Sequence, residues 1–308
     1  MAQKTKKKGN WLIWAVWIAA ALCLTMTVLL ALIVGHHAGL LWRQEAPTEA
    51  APTDTVTEAP TEEETQEPTE ETYPILDLEP NPYTAEDFGY VGRYMSCLEG
   101  PCMMGIDVSF WQDEVNWPLV KAAGMEFTMI RLAYRGSTEG VIEEDSWART
   151  NYRGAKDAGM LVGGYFFSQA LTPEEAIEEA DFVLAMAEEM VFDMPIVFDW
   201  EQTWGRTSGM DPRTLTECAK AFCQRIEEGG LEAMVYFGVY QAHYGLYVEE
   251  LTDYKFWLAM YDSEMDFPYK VDMWQYTDSG SVPGIYGAVD LNIYFEYDEE
   301  ETPADERS

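Results

Sequence analysis

PIVFDWE, residues 195–201, is the stretch that decides the fold. Pro195 opens it, Ile196, Val197 and Phe198 make it apolar, and Asp199 and Glu201 close it with two carboxylates two residues apart. In extended chain such a pair points to one face, with Cα atoms about 6.6–6.8 Å apart. A short, continuously apolar strand is buried on both faces, as the strands of parallel sheets are. Acids at its carboxyl end stand where barrels of such strands carry their active sites.

Seven more runs of this kind flank it: MMGIDVS (103–109), FTMIRLAY (127–134), LVGGYFF (161–167), AMVYFG (233–238), FWLAMY (256–261), VDMWQY (271–276) and AVDLNIY (288–294). Helical patterns lie between them. Thr172, Pro173 and Glu175 read as a capping box with proline in the first turn, and Asp211 with Pro212 opens a second helix that Gly229 closes. The pattern predicts an α/β fold, an irregular (β/α) barrel of the TIM type with about eight strands and about five helices. The sixth and seventh runs are too close for a crossover helix, so the last third is expected to be strands and loops.

Asp107 ends the first run and Asp290 lies in the last, both after apolar residues where an unpaired carboxylate is costly to bury. First and last strands of a closed barrel are neighbours, and the fourth faces them across the mouth. Folding is therefore expected to gather Asp107, Asp199, Glu201 and Asp290, although single buried acids are also used structurally.

The chain has 308 residues and a formal net charge of −36, a balance that disfavours nucleic acid as a partner. Its charge is unevenly spread. Residues 1–10 are basic, and residues 11–34 carry no charge over a length sufficient to span a bilayer. The lysines before this stretch put the N-terminus in the cytoplasm and the rest outside, as a single-pass anchor; a cleaved signal peptide is the competing reading. Residues 35–72 read as a juxtamembrane segment and a Thr/Glu/Pro-rich tether, 73–102 as an extension before the barrel, 103–296 as the barrel and 297–308 as an acidic tail. Cys218 and Cys223 fall on an apolar helical stripe, whereas Cys97 and Cys102 are either free or bridged.

Taken in order, GIDVSFWQ (105–112), Ile130 with Arg131, AGMLVGGYFFS (158–168), PIVFDWE, FWLAMY, MWQYTDSGSVPGI (273–285) and VDLN (289–292) resemble glycoside hydrolase family 25, the Chalaropsis-type lysozymes. The resemblance implies cleavage of the β-1,4 bond between N-acetylmuramic acid and N-acetylglucosamine in peptidoglycan, by a monomer without cofactor or metal. It implies Glu201 as proton donor, Asp199 as its ionised partner, and Asp107 and Asp290 as the other acids. Tyr165, Trp274 and Gln275 match groove-lining residues. Asp113 stands where the family often has glycine, and Phe166 where many members have histidine, removing a polar group expected beside the site. Whether Asp199 attacks the sugar or orients its 2-acetamido group stays open from spacing; the resemblance favours substrate assistance.

Rival classes fare less well. A zinc amidase or a Cys-His peptidase needs histidines, and the part after residue 72 has one, His243. Chitinase-like barrels carry a longer run of acids, and Val197 occupies the place of one of them. The remaining alternative is a tethered wall-binding protein that has lost turnover.

Overall fold

The computed structural model describes residues 73–202 and 205–297. The expected basic segment, anchor and tether, Trp204 as a groove wall, and the tail beyond Tyr297 lie outside these residues. Among the described residues no helix is long and apolar enough to cross a membrane.

A hairpin comes first, β1 (Phe88–Val91) with β2 (Tyr94–Cys97). The barrel follows: β3 (Cys102–Val108), α1 (Trp117–Ala122), β4 (Phe127–Arg135), the short edge strand β5 (Ile142–Glu144), α2 (Ala148–Asp157), β6 (Leu161–Phe167), α3 (Pro173–Ala187) and β7 (Ile196–Asp199). It continues with α4 (Pro212–Glu228), β8 (Ala233–Gly238), β9 (Lys255–Ala259), β10 (Met273–Gly280) and β11 (Val289–Phe295). All eight expected runs are strands. They close in the order β3-β11-β10-β9-β8-β7-β6-β4, with β4 pairing back to β3. The four α-helices fill the first crossovers and a π-helical turn, Gln241–Gly245, stands in the fifth.

The expectation of a parallel sheet needs one correction. β11 runs antiparallel to both β10 and β3. The connection from Gly280 to Val289 is too short to bring the chain back to the other end of the barrel, so β11 returns in the opposite sense.

The capping signals act as read. Thr172 and Asp211 accept the N–H of Glu175 and Thr214, three residues into α3 and α4. The reciprocal bond of the capping box lands one residue early, with the Glu175 carboxylate accepting from Leu171 N–H at 2.8 Å. α4 buries Leu215, Cys218, Phe222, Cys223 and Ile226 against the barrel. Each large apolar side chain buried this way contributes roughly 1.5–3 kcal/mol.

Two apolar layers result from strand alternation. Ile196, Phe198 and Trp200 point outward to the helices, whereas Val197 points inward among Met129, Met234, Trp257 and Met273. The inner layer fills the barrel below the mouth, so the only inward space is at the carboxyl ends of the strands. At the other end Gly105 lies against the ring of Phe127, in the place a Cβ would occupy. The hairpin is pinned from outside: Phe88 meets the Trp274 ring edge-on at 5.3 Å, and a disulfide joins Cys97 to Cys102 at the start of β3, with Cα atoms 6.2 Å apart.

Candidate active site

The alternation that sends Val197 inward sends Asp199 and Glu201 inward too, at the mouth. Asp107 and Asp290 are directly paired across β3 and β11, so the same mouth receives both. A cavity of about 570 Å3 is lined by all four acids together with Tyr165 and Gln275, a size typical of ligand sites.

Asp107 is the hub. Its Oδ2 accepts from Gln275 Nε2 at 2.8 Å and from Asn292 Nδ2 at 2.9 Å. Each amide is in turn fixed by its carbonyl oxygen. Gln275 Oε1 accepts from the hydroxyls of Tyr236 at 2.9 Å and Tyr261 at 3.1 Å, and Asn292 Oδ1 from the indole of Trp257 at 2.9 Å. With both carbonyls occupied, the two amides can only present N–H groups to Asp107. Arg131 is the cation whose charge acts on Asp199 and Glu201. Its Nε is held by Asp145 at 2.8 Å, and its guanidinium lies over Phe110 at 4.8 Å.

Arg131 and Arg135 both line the cavity, but each is already paired with an acid outside the four, Arg131 with Asp145 and Arg135 with Glu179, so burial weighs on the four carboxyl groups. Burial pushes Asp107 up to about 6 against the pull of its Asn292 and Gln275 hydrogen bonds. Burial and the neighbouring charges of Asp107 and Asp278 push Asp290 up to about 9. Asp199 is raised well above the usual carboxylate range, by burial first and then by the charges of Glu201 and Asp107. Glu201 stands exposed at the mouth, yet the confinement of the cavity and the charge of Asp107 raise it as well. Burial and neighbouring charge thus raise Asp199 and Glu201 together.

Burial favours the protonated form of Asp199, against the expectation that it is the ionised partner of Glu201. It is the deeper of the two, 5% exposed, and its Oδ1 has no hydrogen-bond partner. Trp274 is also corrected. It neighbours the inward Gln275, so alternation turns it outward, where it is fully buried beside Phe88 and Tyr276 and donates its indole N–H to the carbonyl of Met260 at 2.8 Å. For the same reason Phe166 removes no polar group from the site. It packs outside the barrel near Phe222, whereas Tyr165 before it and Phe167 after it line the cavity.

Sequence reading missed Arg131, Tyr236, Trp257, Tyr261 and Asn292 as parts of the site. Two signals were available. Asn292 follows Asp290 by two residues, and Arg131 follows the inward Met129 by two, so each shares the face of an interior residue.

The sequence pattern of glycosyl hydrolases family 25 matches residues 106–285. Over 199 residues the chain is 29% identical to the autolytic lysozyme of Clostridium acetobutylicum, covering 63% of this chain and 56% of that protein. It is 28% identical over 205 residues to lysozyme M1 of Streptomyces globisporus, covering 62% and 67%. Among solved structures, the bacterial lysozyme of Streptomyces coelicolor superimposes with a TM-score of 0.52 at 25% identity, covering 64% of this chain and 93% of that one. The chain therefore spans little more than half the length of the autolytic lysozyme. Because the matched residues make up more than half of this sequence and include Asp107, Asp199 and Glu201, the chain belongs to glycosyl hydrolase family 25.

Proposed function

We propose that the protein is a peptidoglycan hydrolase of the muramidase type, cutting the β-1,4 bond between N-acetylmuramic acid and N-acetylglucosamine. The observation that carries this reading is the convergence of Asp107, Asp199, Glu201 and Asp290 on one open cavity. Glycosidic cleavage needs one carboxyl to donate a proton to the leaving oxygen while a second bears or directs negative charge. Here Glu201, at the mouth, is the donor and later the base, and Asp199 is its partner.

Substrate decides which of Asp199 and Glu201 keeps a proton. The carboxyl group of Asp199 lines the cavity and can accept the N–H of a sugar's 2-acetamido group, and a hydrogen bond to the carboxylate form lowers its pKa. The proton is then left on Glu201, ready for donation. An acetamido group oriented in this way supplies the nucleophile from the substrate itself. Asp107, fixed by two amides, carries the charge that raises Glu201, and Asp290, whose protonated form burial favours, keeps the wall beside it polar.

We further propose that residues 11–34 anchor the chain in the cell membrane with its N-terminus inside. Residues 35–72 then carry the barrel outward to the wall. Replacing Glu201 with Gln should lower the release of new reducing ends from purified peptidoglycan by at least about a thousandfold, with the thermal unfolding midpoint unchanged. Activity retained in that variant contradicts the assignment. Binding of glycan by the parent protein without any release would instead support a wall-binding protein.

A further inference from the structure

The concave surface does not end at the catalytic cavity. A second hollow of about 690 Å3 lies beside it, and Tyr261 lines both. The charge of Asp278, on the wall of the second hollow, acts on Asp290 in the first. One wall is the β1–β2 hairpin, which supplies Tyr90 and Arg93. Another wall is the outer half of β10, where its register against β11 slips twice.

The hairpin precedes residues 106–285, so it lies outside the part of the chain that matches the family. Its place is nevertheless built. Phe88 packs on Trp274 and Phe295, Met95 is buried, and the Cys97–Cys102 disulfide ties the end of β2 to β3. This gives the outward-facing Trp274 a function: it anchors the wall of a neighbouring hollow.

We propose that the second hollow is a distal binding site for the glycan chain whose other part enters the catalytic cavity. This rests on the glycan-hydrolase reading above. Tyr90 is 66% exposed and Tyr261 54%, and both offer flat amphipathic rings on which a sugar can stack. Thr277, Asp262 and Asp278 add hydroxyl and carboxylate acceptors for sugar hydroxyls. Charge selects the glycan over the peptide stems that peptidoglycan also carries. Arg93 stands against Asp262 and Asp278, which leaves the hollow net negative, so a peptide stem with several carboxylates is repelled more than a strand in which every second sugar, N-acetylglucosamine, is uncharged.

The test compares long glycan strands, both stripped of their peptides and still carrying them, with a tetrasaccharide of the same sugars, using the full-length chain. In Tyr90→Ala the ratio of kcat/KM on long strands to that on the tetrasaccharide should fall about five- to tenfold through KM, the loss of roughly 1 kcal/mol of stacking. Tyr90→Phe, which keeps the ring, should restore it. An unchanged ratio in Tyr90→Ala overturns the distal site. A loss confined to strands that still carry peptides overturns the glycan as its occupant. If the parent protein releases no reducing ends from either substrate, the hydrolase reading itself fails and the distal site falls with it.

Discussion

Asp290 and Asp107 face each other across two adjacent strands, and the barrel keeps protons on them that an unfolded chain would release. The carboxyl of Asp290 is pushed up to about 9 and that of Asp107 to about 6. An unfolded aspartate titrates near 4, so between about pH 4 and 9 the native state binds more protons, and stability falls as pH rises. Removing the acid removes that slope. Asp290→Asn should therefore be more stable than the parent by about 1–2 kcal/mol at pH 8 and about equal to it at pH 4, as read from denaturant unfolding at both. Equal stability at pH 8 would show that Asp290 is ionised there without penalty. Asp113 carries a different strain. It is the one non-glycine among the described residues with positive φ, at 49° with ψ −134°, a conformation suited to the glycine that the family often has at this place. Asp113→Gly should gain about 1 kcal/mol in thermal unfolding, and a loss would mean that the aspartate side chain holds the turn.

Period-two alternation settles most of what each strand does, and it also marks where sequence reading succeeded and failed. The apolar runs were long enough to give all eight barrel strands, and the acids that close β3 and β7 were conspicuous because such runs tolerate no idle charge. Trp274 was misplaced because an aromatic residue beside a site residue looks equally suited to groove and core, and only register decides. The β1–β2 hairpin was not legible as strands, since FGYV and YMSC are short and owe their place to contacts with Trp274 and Phe295 far along the chain. Likewise, nothing local in VDLNIY says that β11 runs against its neighbours. The hydrogen-bond roles of Asn292 and Gln275 become visible only once β3, β10 and β11 are side by side. Trp274→Phe tests the reassignment. It should lose about 1–3 kcal/mol of stability, from the indole hydrogen bond to Met260 and the lost volume beside Phe88, while KM for the tetrasaccharide stays within about twofold. A large rise in that KM with stability intact would return Trp274 to the catalytic groove.

At the scale of the whole molecule, the packed interior of the barrel leaves the carboxyl ends of its strands as the place for chemistry, and one chain is proposed to couple that chemistry to a membrane tether. The strongly acidic barrel gives this arrangement its character. With Arg131 paired to Asp145 and Arg135 to Glu179, the buried acids of the site favour their protonated forms, and glycosidic cleavage needs such a proton. The central claim is that this proton goes to one particular bond. Peptidoglycan digested by the full-length protein and then reduced with borohydride marks each newly freed sugar end as its alcohol. A muramidase converts muramic acid to its alcohol in proportion to the bonds cut, and that is the expected result. Glucosamine at the new ends would mean that the barrel cuts the other linkage of the strand, and the absence of new ends would mean that it does not cut glycan.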